Sequence, residues 1–255
     1  MRIDLNSDLG EGFGPYAIAD DAGIMKVITS ANLACGYHAG DPVIMDKTVA
    51  LAEAANVDVG AHVGYPDRMG FGRRNMDMDL GELEKHVIYQ LGALEGFARI
   101  HGRKISHMNP HGALGNLACA DRSVADALVR ATSAFDPDIA YLVLSGTELE
   151  TAARAAGRRT INLFLADRAY QANGQLAPRT LPGAVIKDEA AAVKRILRLL
   201  DDGSLETLDG QTIRIDVQSI LVHSDTPGAL QMAQGIRAAI TGAGGVITPL
   251  SQLLA

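Results

Sequence analysis

The residues with chemical potential are carboxylates and histidines that recur at the ends of short apolar runs. Asn6, Asp8 and Glu11 follow Ile3–Leu5, His38 and Asp41 follow Ala31–Cys35, and His62 and Asp67 follow Val57–Ala61. Asn109 and His111 follow Lys104–Met108, Ser145 and Glu148 follow Ala140–Leu144, and Asp167 and Arg168 follow Thr160–Leu165. His223 and Asp225 close the run that begins at Ile220. Carboxylates and neutral imidazoles can deprotonate water, while imidazolium and guanidinium groups stabilise developing negative charge. Such a set can do acid–base and charge-stabilising chemistry. One His or Asp after a strand is usually only a cap or a loop hydrogen-bonding group, and Asp41, directly before Pro42, has the N-cap position of a helix whatever else it does. Four of the seven histidines (His38, His62, His111 and His223) share that strand-end position, and together they define the expected site.

The elements that must position them alternate. Helical patterns are expected over 20–30, 41–56, 80–101, 122–135, 147–156, 188–200 and 227–240. The 80–101 segment carries Leu83, Val87, Leu91 and Leu94 at helical spacing. A hairpin is expected over 205–216, turning at Asp209-Gly210, with a last short strand at Val246-Ile247. Strand–helix alternation implies a parallel sheet, and seven such units suit a closed α/β barrel, a single (β/α) barrel domain over 1–255. Loops after the strand C-termini of a barrel meet at one rim, where the reactive groups of such enzymes sit. His86 and His101 fall on the long helix and read as surface residues. His107 lies on the fourth strand and faces either the barrel interior or the core around it.

Several classes are excluded. The formal charge is −7 with both signs mixed along the chain, which argues against nucleic-acid binding. No apolar run reaches membrane-spanning length, and the N-terminus lacks a signal-peptide core, so no membrane association is expected and the cytoplasm is. Cys35 and Cys119 are too few for a disulfide framework. Pro15 stands where a dinucleotide-binding turn needs its third glycine, and neither a Walker P-loop nor a Gly-x-Ser-x-Gly elbow occurs. Gly70-Phe71-Gly72-Arg73-Arg74 offers two adjacent guanidinium groups that could hold phosphate or carboxylate, or form a solvated turn. A divalent metal is open: Asp8, His38 and His62, on neighbouring strands, would supply hard and borderline ligands.

At these same positions the chain resembles the LamB/YcsF family. The motifs are Asp4-Leu5-Asn6-Ser7-Asp8-Leu9-Gly10-Glu11-Gly12, Ser30 to Asp41, Gly60 to Asp67, Gly70-Phe71-Gly72-Arg73, Pro110 to Leu114, Ala166 to Tyr170, Pro178-Arg179 and His223 to Gly228. They span nearly the whole chain. The resemblance implies a barrel of the glycoside hydrolase/deacetylase type. It also implies ATP-dependent opening of 5-oxoproline to L-glutamate, with ATP as co-substrate and 5-oxoprolinase subunits B and C as partners; a homo-oligomer is left open. On that reading the catalytic set is Asp8, His38, His62, His111, Asp167 and His223. Asp8 or His38 serves as base, and His111 and His223 stabilise charge. Asn6, Glu11, Asp41, Arg73, Asn109, Arg168 and Asp225 hold the substrate, with Arg168 as an anion clamp. Asn109 stands where the family usually has lysine, Gly115 where it has tyrosine, Val63 where it has proline and Ser224 where it has glycine. Asn109 replaces a cation by a neutral amide, which points to a divergent member acting on another or larger cyclic amide, or to a weak 5-oxoprolinase. The competing readings are a metal-dependent deacetylase-like hydrolase that uses no ATP, and a scaffold whose partners carry the chemistry.

Overall fold

The computed structural model describes residues 1–254. Seven parallel strands form the barrel wall: β1 (Arg2–Leu9), β2 (Ser30–Ala34), β3 (Asp58–His62), β4 (Ile105–Met108), β5 (Ala140–Val143), β6 (Thr160–Leu165) and, after a hairpin, β9 (Ser219–His223). β9 pairs with both β6 and β1, which closes the cylinder. The hairpin is β7 (Ser204–Glu206) against β8 (Thr212–Arg214), and β10 (Val246–Ile247) adds to the start of β1. Helices α1 (Asp21–Met25), α2 (Pro42–Ala55), α3 (Leu80–Ile100), α4 (Gly112–Ala120), α5 (Arg122–Phe135), α6 (Glu148–Ala155), α7 (Glu189–Asp202), α8 (Ala229–Gly242) and α9 (Leu250–Leu253) cover the outside. No helix among the described residues is long and apolar enough to cross a membrane.

Local chemistry explains the helix limits. Asp41 caps α2 through Oδ1, which accepts from the Val43 and Ile44 amides at 2.9 and 3.0 Å, and Pro42 fills the first turn. Asn56 ends the helix in the left-handed conformation. The expected stripe on α3 is buried at Leu83, Val87, Leu91 and Leu94. Two expectations need correction. The first helix stops at Met25 rather than Ser30, because Val27 and Ile28 are buried leading into β2. No helix is expected from sequence where α4 lies, since Gly112 and Gly115 disfavour one; tertiary contacts hold it instead, beginning with the Ala113 amide donating to the Gly72 carbonyl at 2.9 Å.

β1 is longer than its apolar run. Asn6, Ser7 and Asp8 lie within the strand, paired on one side with β2 and on the other with β9. Alternation sends Ile3, Leu5 and Leu9 outward to the helices and Asp4, Asn6 and Asp8 inward. The barrel interior is therefore polar along β1 to β4, while Leu142, Leu163, Leu165 and Leu221 line the opposite half near its open end.

Asp4 forms the closed end of the polar half. Its carboxyl accepts from Thr29 Oγ1 at 2.8 Å, Ser219 Oγ at 2.6 Å and the Ser30 hydroxyl. Burial pushes its pKa up to about 7, against the lowering effect of those hydroxyls. An acid that holds its proton more tightly when folded favours folding at low pH, and that contribution is lost as pH rises from about 4 to about 7. We expect Asp4→Asn to raise stability relative to the native protein at pH 8, by an amount on the order of 4 kcal/mol, and to have little effect near pH 4. Urea unfolding at the two pH values reads the difference; an equal effect at both would contradict it.

Candidate active site

The C-terminal ends of the strands open on a cavity of about 630 Å³. Its polar wall includes Asp8, His62, Arg73, Asn109, His111, Arg168, Arg179 and His223. The ends of β1, β3 and β9 and the segments after β3, β4 and β6 supply these groups, so side chains more than two hundred residues apart share one space. His38 joins them from behind. It is fully buried, stacks on His111 with ring centroids 3.8 Å apart, and has Nε2 3.0 Å from Glu11 Oε1. The structure thus brings the four strand-end histidines together, with three on the cavity wall and one sealed beneath it.

A hydrogen-bonded chain sets Asp8. Its Oδ1 accepts from Asn32 Nδ2 at 2.7 Å, and Asn32 also donates to Asn6 Oδ1 at 2.5 Å. The Asn32 side-chain carbonyl oxygen accepts from His107 Nε2 at 2.9 Å, and the other ring nitrogen of His107 meets Ser106 Oγ at 2.8 Å. Burial, then the neighbouring His62, pushes the His107 pKa down to about 3, so this ring is neutral and its partners fix its tautomer. Asp8 Oδ2 is left at the cavity, 3.5 Å from His62 Nε2 and 3.8 Å from His223 Nε2. Asn6 holds a place in this support below the cavity, not on its wall.

His223 Nδ1 lies 2.9 Å from both Asp167 oxygens, and Arg179 Nη2 donates to its Nε2 at 3.2 Å. Burial alone would lower the His223 pKa, but the charge and hydrogen bond of Asp167 and the charge of Asp8 outweigh it, and the net direction is up. The other rings behave oppositely. Burial, then neighbouring imidazoles, holds His38 and His111 well below the usual histidine range, and burial lowers His62 despite Asp8. Burial, then the charges of Asp8 and Asp225, raises Glu11 well above the usual carboxyl range. Perturbed titratable groups cluster at functional sites, and their gathering at this cleft makes it a candidate for one.

Some sequence expectations are not met. His38 has no exposed surface and does not reach the cavity, so it cannot contact a substrate there as base. His111 is neutral, with its Nε2 donating to the Phe71 carbonyl at 2.7 Å, so it is no cationic charge stabiliser. Arg168 lines the cavity, but its Nη2 and Nε donate to the Ala177 and Ala184 carbonyls at 2.5 and 3.3 Å, which ties down the 168–185 segment. Asp41 is a helix cap away from the cavity wall; its second oxygen accepts from the Gly14 amide at 2.7 Å. The two adjacent arginines diverge: Arg73 pairs with Asp225 at 2.5 Å beside the cavity, whereas Arg74 pairs with Asp67.

Asn32, His107 and Arg179 are the residues that sequence reasoning passed over as site members. His107 carried a signal in its place on the fourth strand, with an inward face open, and Arg179 in being a cation between prolines and glycines in an irregular stretch after β6. His107 and His111 are four residues apart, but Asn109-Pro110 separates them, so one ring enters the barrel and the other reaches the rim.

Known proteins share this architecture. The LamB/YcsF family profile matches residues 3–255. A protein of Ralstonia nicotianae, named as an A-type subunit of 5-oxoprolinase, is 54% identical over 254 residues, covering 100% of this chain and 98% of the relative. The crystal structure of a lactam utilization protein from Thermus thermophilus superposes with a TM-score of 0.93 at 42% identity, covering 98% of this chain and 100% of that one. A family 4 carbohydrate esterase from Streptomyces lividans, at 12% identity and a TM-score of 0.51 over 99% of this chain and 94% of its own, shares the barrel fold alone. With a family match from Ile3 to the C-terminus and relatives at about half identity along their full length, the chain belongs to the LamB/YcsF family.

Proposed function

We propose that the cavity binds a small cyclic amide and that the chain opens 5-oxoproline to L-glutamate as the A component of an ATP-dependent 5-oxoprolinase. The observation that carries this is Asp8 Oδ2 at the cavity between His62 and His223, with Arg73 and Arg179 on the same wall. The relatives' names support it. An unstrained lactam is a poor electrophile. Phosphoryl transfer from ATP to its carbonyl oxygen makes a leaving group, and a first water then adds at the ring carbon. The C–N bond breaks, the ring nitrogen leaves as an amine, and a second water releases phosphate. Asp8 takes the proton of the attacking water. The guanidinium groups hold the substrate carboxylate or the phosphoryl oxygens.

His223 is the switchable cation of the site. While neutral it accepts from Arg179; an anion that draws Arg179 away frees Nε2 to carry a proton toward the developing negative charge. Protonated His223 persists to higher pH because Asp167 raises its pKa. Asp167→Asn removes that effect, so the alkaline limb of kcat/KM should move to lower pH by about one unit. A limb that stays in place removes His223 from the role.

The cavity is larger than 5-oxoproline requires, and Asn109 and Gly115 both line it. A Cβ at 115 would collide with the Pro110 carbonyl, so a side chain there requires the backbone between 110 and 115 to shift. The direct test is glutamate release from 5-oxoproline and ATP with subunits B and C present, run beside larger lactams. Family-like turnover on 5-oxoproline removes the case for divergence; no turnover on any lactam overturns the proposal.

A further inference from the structure

Glu11, His38, His62 and His111 are each 5% exposed or less, and one ligand atom from each lies within 4.8 Å of all the others. Their outer contacts decide what the inner atoms can do. His62 Nδ1 donates to the Asn109 carbonyl at 2.7 Å, which leaves a lone pair on Nε2 when the ring is neutral. His111 Nε2 donates to the Phe71 carbonyl at 2.7 Å, which leaves a lone pair on Nδ1. Those two bare nitrogens face each other at 3.0 Å. Two lone pairs at that distance repel. A proton can bridge one such contact, whereas a cation satisfies the whole set.

The spacing is close to that around an ion, which on binding would tilt the stacked His38 and His111 rings out of parallel to aim both at it. Glu11 Oε1 lies 3.0 Å from His38 Nε2, 3.5 Å from His111 Nδ1 and 3.8 Å from His62 Nε2. Ligands at the usual 2.0–2.1 Å from a four-coordinate zinc ion are separated by roughly 3.3 Å. Backbone carbonyls that take the outer N–H of metal-bound histidines are the usual orienting shell, and Asn109 and Phe71 already supply two. His38 Nδ1 finds no partner among the described residues, so only contacts inside the cluster orient that ring's polar atoms. Three imidazoles and one carboxylate favour a first-row transition ion over calcium or magnesium, which prefer oxygen. His62 and His111 line the cavity and give the ion a way in.

We infer that Glu11, His38, His62 and His111 form a binding site for one divalent transition-metal ion, with Asp8 at its cavity side. Asp8, His38 and His62 alone, the set open from sequence, lack two of the converging donors.

The test uses the whole isolated chain, stripped by a chelator and titrated with Zn²⁺ by calorimetry and with Co²⁺ by visible absorption. One equivalent should bind with Kd at or below about 1 µM, and Co²⁺ should give the intense bands of a low-coordinate site. Glu11→Gln and His62→Ala should each weaken binding by at least about 100-fold, while His101→Ala, on the outer surface, should not. Failure of the native chain to bind one equivalent more tightly than ~100 µM overturns the site, and so does native-like binding by the Glu11 and His62 variants. The native arm needs no variant to fold. Ion binding is read without turnover, so it stands or falls separately from the lactam assignment.

Discussion

Asp8→Asn should reduce glutamate release from 5-oxoproline by about 10²–10⁴-fold in the complex with subunits B and C. The substitution is nearly isosteric and keeps an oxygen to accept from Asn32 Nδ2, now 2.7 Å away, so the barrel interior loses no hydrogen bond on that side. What it removes is the proton acceptor at the cavity, the Oδ2 atom between His62 and His223. The urea midpoint of the variant should stay near that of the native chain, and its association with the partner subunits should persist. Turnover within tenfold of native, with that association intact, would move the chemistry off Asp8 and favour a scaffold role for the chain.

The strand ends were legible because a barrel sends each of them to one rim, so position in the alternation substitutes for distance in sequence. β6 at 160–165 and α5 at 122–135 lie where periodicity places them. The polar interior was not legible. Asn6 and Asp8 read as the end of the first strand but not as part of a buried polar face, because a strand that buries a carboxylate and an amide is unfavourable unless their partners are present. Those partners, Asn32 and His107, come from other strands, and no spacing within β1 announces them. His38, His62 and His111 were legible as one rim, but their grouping with Glu11 into a single set of four donors was not. Its members are scattered over a hundred residues, and only the closed order β1-β2-β3-β4 brings them together.

His107 shows how backbone irregularity makes the site, and it carries the second large expected effect. Val59 pairs with Ile105, but Gly60 pairs with His107, so Ser106 is an extra residue in β4. Without that bulge Ser106 would face inward and His107 outward, since one added residue reverses the alternation. The inward ring then lies over Gly60, where a Cβ would fall among its Nε2, Cδ2 and Cε1 atoms. Gly60→Ala should therefore expel a fully buried imidazole, strip Asn32 of its His107 contact and loosen Asp8. We expect about 3–5 kcal/mol of destabilisation, above the usual range because overpacking of the core and loss of a buried hydrogen-bond network act together, with a fall in Tm of roughly 10 °C for a chain of this size. Adding His107→Ala supplies the space the new methyl needs, so the double variant should be less destabilised than the sum of the two single changes. Strict additivity in the four unfolding free energies would show that Gly60 is not there to make room for His107.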